Sequence, residues 1–321
     1  MQIVRQIAAT NPLPTRFCHG PTLLPRPAGD VLAAWFGGTE EGLSDSGIFV
    51  ARYSGGDATW QAPQLVAPPD GHPCGNPVLF EGTAGVLWLA YFRVWGEWCT
   101  GGRPCARVSL DDGETWGPEM RLSEREGVLT KNKPVRLRDE LLLPVYDEIR
   151  WCVGFARLDV SRKGAAWRFD DLTIGARSGV AMIQGTVVEA APGRLLMLMR
   201  TTVGLIWRAE SHDGGVTWQG LRATTLRNPN AGIDMVRLRD GRLWLCYNDT
   251  DRGRDPIVFE QRYPLCLAES SDAGVSWHNV LTLESEPGEY SYPAVVADDG
   301  GQVHIAYTRL RREIRHVVLQ P

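Results

Sequence analysis

Three segments of this chain are copies of one another. Ser109, Asp111, Gly113, Thr115 and Trp116 recur at the same offsets as Ser211, Asp213, Gly215, Thr217 and Trp218, and again as Ser270, Asp272, Gly274, Ser276 and Trp277. Two degraded copies, Ser54 to Trp60 and Ser161 to Trp167, keep the phase, so the closing tryptophans stand at 60, 116, 167, 218 and 277. An internal period of this size is the mark of an architecture assembled from one repeated supersecondary unit. Each copy follows a strand-like run such as IFVARYS or LIWRAES. Ser and Asp bond the backbone of their own turn, Gly supplies a positive φ, and Thr and Trp open the next strand, so each copy predicts a hairpin turn. The segments between copies are short, β-branched or aromatic runs preceded by pairs such as Asp240-Gly241 and Asp299-Gly300, which are strand and turn signals. No long stretch has helical period. Units of 51–59 residues divide 321 residues into about six, which predicts an all-β, six-bladed β-propeller. No linker interrupts the pattern, so residues 1–321 are expected to form a single domain. A strand near Gln2–Ile7 is expected to join the last blade and close the ring, removing sheet edges.

Composition narrows the partners. Net charge is −4, from 34 basic and 38 acidic residues, so no basic excess points to nucleic acid. No apolar run reaches the ~18 residues of a membrane helix, and no membrane partner is expected. The N-terminal residues lack the apolar core of a secretory leader. The seven scattered cysteines are an odd number, which suggests reduced thiols and a cytoplasmic setting. The six histidines are isolated and no Cys-x-x-Cys occurs, so neither a metal nor a cofactor is expected. A phosphate-binding Gly loop and a Gly-x-Ser-x-Gly elbow are also missing.

The motif Ser-x-Asp-x-Gly-x-Thr-Trp is the Asp-box, and with its regular spacing the chain resembles the sialidase superfamily of six-bladed propellers over nearly its whole length. The resemblance implies a site at the axis, with an arginine triad gripping the sugar carboxylate, a Tyr nucleophile activated by Glu, and an Asp acid/base. Sialidases are an exception to the two-carboxylate rule of glycosidases. A phenol suits them, because the substrate's own carboxylate would repel a carboxylate nucleophile, and guanidinium forks match that substrate group. Matched segment by segment, His19 falls at the first arginine, Asp45 at the acid/base, Arg200 at the second arginine, Arg262 at the third and Tyr290 at the nucleophile. Gln184 stands where the activating Glu belongs. The late Glu that braces the first arginine falls near Thr308. Gln184 cannot take a proton from Tyr290; Glu286 or Glu289 can substitute only by turning inward.

Further polar candidates lie in loops that enter innermost strands and so face the funnel. They are Lys131 and Lys133, then Asn230 and Asp234, with Asn76 and the Tyr146–Glu148 segment ranked below them. The basic run from Arg309 to His316 reads as a solvated edge strand. Three functions fit. The first is a sialidase-like exo-glycoside hydrolase acting on an acidic sugar, with Arg200 and Arg262 binding the carboxylate, Asp45 protonating the leaving group and Tyr290 attacking. The second is elimination on a uronate glycoside, with Tyr290 or His19 as base. The third is a glycan-binding propeller without activity. In each the partner is an acidic sugar or glycan.

Overall fold

In this computed structural model, residues 2–8, 15–83, 85–161, 166–251 and 261–321 are described. Their strands form six sheets of four or five strands each. The innermost strands are Phe17–Pro25, Cys74–Glu81, Val128–Thr130 with Val135–Arg136, Met182–Ala191, Asp234–Arg237 and Gly288–Ala297. Each touches the next in chain order and the last touches the first, so the sheets close a ring as the repeat predicts. The strand Gln2–Ala8 pairs antiparallel with Glu313–Gln320, Gln2 opposite Gln320, and the N-terminal segment thereby completes blade six. No helix among the described residues is long and apolar enough to cross a membrane.

The apolar faces of the blades are buried against each other. Six core clusters lie one between each pair of neighbouring blades. The repeat builds these joints as well as the turns. In blade four, Ser211 Oγ accepts from Gly215 N at 2.8 Å and Asp213 accepts from Thr217 N at 2.9 Å. Ser109 with Asp111, and Ser270 with Asp272, do the same in blades two and five. The glycine of each box then docks on the preceding blade. A Cβ on Gly113 would meet Leu32 at 2.8 Å, one on Gly215 would meet Leu142 at 2.5 Å, and one on Gly274 would meet Leu196 at 2.2 Å. An arginine of the preceding blade reaches the same turns: Arg157 donates to Gly215 O at 2.7 Å and Arg208 to Gly274 O at 2.5 Å. Trp218 stacks on Phe155 of blade three at 5.2 Å, and Trp167 meets Phe80 and Trp88 of blade two. The boxes therefore fasten blade to blade. Part of the degraded copy at Ser161–Trp167 lies outside the described residues.

The innermost strands share one irregularity. Register shifts leave residues 20–21, 76–77, 184–185 and 292–293 out of their ladders, and 131–134 interrupt the strand in blade three. Gly20, Asn76, Gln184 and Tyr292 sit there with φ between 43° and 60°, and Asn230 matches them ahead of blade five at 57°. A bulge bends its strand and re-aims a side chain. Repeated around the ring, it directs polar groups toward the axis.

Candidate active site

The phenol of Tyr292 is the meeting point. Its oxygen accepts from Arg200 Nη1 at 3.0 Å and from Gln184 Nε2 at 3.2 Å. The guanidinium carbons of Arg200 and Arg262 each lie 5.7 Å from its ring centroid, and Lys131 Nζ lies 5.8 Å away. The His19 ring packs at 4.2 Å. Gln184 Oε1 accepts from Arg200 at 3.1 Å. An arginine can only donate, so this bond fixes the amide orientation and turns Nε2 toward the phenols. Nε2 also donates to the Tyr146 hydroxyl at 3.2 Å, which receives Asn76 Nδ2 at 3.1 Å. One left-handed residue from each of three blades (Asn76, Gln184 and Tyr292) thus joins a single network.

Charge around this network is mostly positive. Arg262 pairs with Glu289 at 3.1 Å, and Glu289 pairs with Arg311 at 2.5 Å. Arg311 in turn meets Glu41 and lies 5.6 Å over the Phe17 ring, beside His19. Arg200, Arg262, Arg311 and Lys131 face the two carboxylates Glu289 and Glu41, which leaves a cationic excess suited to an anion. Burial, followed by the charges of Arg311, Arg262, Lys131 and Arg200, pushes His19 well below its ordinary pKa. His19 is therefore a neutral imidazole. It is fully buried, and neither ring nitrogen has a hydrogen-bond partner. Arg200 Nε and Asn230 Oδ1 are likewise buried without a partner. Polar atoms in that condition cost about 1–3 kcal/mol each unless something binds them.

His19, Gln184, Arg200, Arg262 and Lys131, all expected in the site, are therefore brought together. Others are placed elsewhere. The Tyr290 ring lies in the core between blades five and six with Val295 and Tyr307, because the bulge at 292–293 resets which side chain faces the axis; the phenol at Arg200 belongs to Tyr292. Lys133 and Asp234 bond each other at 2.7 Å. Asp234 also accepts from Thr186 Oγ1, Met235 N and Val295 N, so this pair ties blades three to six instead of facing a ligand. Asp45 is exposed on the rim, where Thr39 N and Oγ1 donate to it at 3.0 and 2.7 Å. Thr308 Oγ1 accepts from Gly20 N at 3.1 Å. The bracing carboxylate comes instead from Glu289, which turned inward but grips arginines, not a phenol; Glu286 stays exposed. The run from Arg309 to His316 is no edge, since Gln2–Ala8 covers its strand, and its Arg311 reaches the group of charged and polar side chains around Tyr292, the cup of the candidate site.

Residue order missed Tyr292 and Arg311. A signal for the first exists: Gly20, Asn76 and Tyr292 each precede a proline, and the residue before proline is restricted. Arg311 comes from a loop with no motif. A groove of about 1280 Å³ runs between blades three and four past Phe155 and Trp218, away from this cluster.

Residues 29–305 match the BNR repeat-like domain. The chain belongs to the BNR repeat-like domain family. No curated protein matches it in sequence. Among solved structures, this family member is similar to the Hadza microbial sialidase Hz136, with 18% identity and a TM-score of 0.76 over 95% of this chain and 66% of that one. It thus spans just under two thirds of that sialidase. It is equally similar to a protein of unknown function from Dyadobacter fermentans, with 16% identity and a TM-score of 0.75 over 99% and 98% of the two chains. The intramolecular trans-sialidase from Ruminococcus gnavus, in complex with oseltamivir carboxylate, gives 14% identity and a TM-score of 0.73 over 98% and 96%. At these identities the likeness is one of fold.

Proposed function

We propose that this BNR propeller is an exo-acting, sialidase-type glycoside hydrolase for a sugar that carries a carboxylate. The observation that carries the reading is the grouping of Arg200 and Arg262 about Tyr292, with Arg311 joined to Arg262 through Glu289. Guanidinium groups recognise carboxylates through charge-assisted forks, and a phenol beside them stands where the anomeric carbon of a clamped sugar would come. Arg311 takes over the part of the arginine that His19 displaced, from a different loop. His19, buried against the Tyr292 ring, adds an uncharged imidazole beside these charges. Lys131 adds charge at the floor, and Gln184 orients both Arg200 and Tyr292. The sialidase neighbours support the same reading.

A second reading, an acidic-glycan binder without turnover, is favoured by one observation. Both groups that touch the Tyr292 oxygen are donors, so neither can take its proton. A panel of fluorogenic glycosides of sialic acid, Kdo-type acids and uronic acids separates the cases. The hydrolase reading expects turnover of at least one acidic glycoside. It also expects Arg200→Ala to cut kcat/KM by about 100-fold or more, the scale of a lost charge-assisted pair. Binding of these sugars without release of fluorophore sinks it in favour of the binder. An unsaturated, ultraviolet-absorbing product shows elimination.

A further inference from the structure

We propose that Glu148, rather than Asp45, is the general acid that protonates the leaving group. The inference rests on the hydrolase reading and deepens the same site. Glu148 follows the strand Glu140–Asp147, and its N–H extends the ladder to Gly127 O at 2.8 Å. Side chains alternate along such a strand. Tyr146 points into the cup, where it meets Asn76 and Gln184. Asp147 turns the other way to bond Arg150 at 2.7 Å. Glu148 opens the turn that follows the strand. Its carboxyl is half-buried and feels Arg200 from blade four, Glu41 from the blade-one loop, Cys99 from the blade-two loop, and Tyr146 and Asp147 from its own strand.

Among the described carboxyls around the cup, the others are engaged. Glu289 and Glu41 hold arginines, Asp234 holds Lys133, and Asp45 takes two bonds from Thr39. Among the described residues, none forms an ion pair or a hydrogen bond with the Glu148 side chain. A general acid must carry its proton at working pH. Hydrogen bonds from Thr39 hold Asp45 below the usual carboxylate pKa against a small opposing effect of burial, which favours the form with no proton to give. Burial raises Glu148 above its usual value, with Asp147 and Glu41 adding to the rise and Arg200 opposing it. In the step, the glycosidic C–O bond breaks with its electron pair going to the leaving oxygen, which takes the Glu148 proton. Water then forms the new C–O bond at the anomeric carbon and returns one proton to the Glu148 carboxylate, restoring the acid.

The test uses acidic glycosides with an activated aryl leaving group and with a poor alkyl one. E148Q is expected to lose ~1000-fold in kcat/KM on the alkyl substrate and less than ~10-fold on the aryl one, within the range of general acid catalysis. It is also expected to lose the basic limb of the pH profile. E148D restores that limb, and D45N keeps it whatever its rate. Infrared spectra of the free protein at neutral pH should show a protonated carboxyl that E148Q lacks, a readout independent of turnover. An active wild type whose E148Q retains the basic limb, or whose spectrum lacks that band, overturns the assignment and leaves the hydrolase reading standing. A wild type inactive on the whole panel overturns both.

Discussion

At the scale of single residues, two tyrosines two positions apart divide packing from chemistry. Tyr292 bonds Arg200 and Gln184, whereas Tyr290 packs in the core. Tyr292→Phe is therefore expected to lower kcat/KM on an acidic glycoside at least 100-fold. Tyr290→Phe is expected to stay within a few-fold, with stability changed by about 0.5 kcal/mol. Equal losses in the two variants would refute the placement. Lys131 carries a second expectation. Burial lowers its pKa from 10.5 to about 8, with Lys133 and Arg200 acting in the same direction and Asp234 opposing. The folded chain then binds fewer protons than the unfolded chain between pH 8 and 10.5, so this group makes stability rise with pH across that window. Lys131→Met should flatten the rise, on the order of 3 kcal/mol at full extent, as read from urea melts at stepped pH. A Met variant with an unchanged slope would discount the buried amine. The sequence pointed to Arg200, Arg262, His19 and Gln184 because a strand run or motif fixes their phase. It pointed two residues short for the phenol, because an unpaired bulge at 292–293 resets which side chain faces the axis.

At the scale of elements, the Asp-box is both a turn and a joint. Gly274 has φ +85°, and a Cβ there would lie 2.2 Å from Leu196. Gly274→Ala should cost about 2–4 kcal/mol, combining left-handed strain with a clash against the neighbouring blade. Gly301→Ala makes a suitable control, since its φ is +84° with open space around the new atom. Equal melting points for the two variants would count against the joint. The box carboxylates make a pH-dependent contribution. Hydrogen bonds from Thr115 lower Asp111, those from Thr217 lower Asp213 and those from Ser276 lower Asp272, each to about 2. A depressed carboxylate contributes stability above its unfolded pKa and loses it as pH falls through the folded one. Melting temperature should therefore drop between about pH 4 and pH 2. The triple variant D111N/D213N/D272N should drop less over that range, and a parallel fall would rule the boxes out. The sequence showed these turns plainly, since each is local. That their glycines and tryptophans fasten one blade to the previous one was not legible, because the partners lie 63 to 87 residues away on chain stretches without a motif.

At the scale of the whole molecule, stability depends on closing the ring. The strand count and repeat length predicted six blades, and the joining of Gln2–Ala8 to blade six was readable because a ring of short sheets leaves one edge to cover. Deleting residues 1–8 removes the ladder with Glu313–Gln320 and exposes a strand edge. The shortened protein should melt at least several degrees lower and aggregate on heating. A melting point within one or two degrees of the full chain would mean the first strand contributes little. The identity of the proposed sugar was not readable, since that depends on how loops from several blades meet at one end of the axis.

The left-handed positions at the inner wall separate recognition from folding. At Asn76, Gln184, Asn230 and Tyr292 the main chain has already left the ladder, so an exchange of side chain there alters what the cup greets while the surrounding sheets keep their pairing. With Tyr292 and Gln184 kept for the proposed chemistry, variants randomised at Asn76 and Asn230 are where new ligand preferences should be sought.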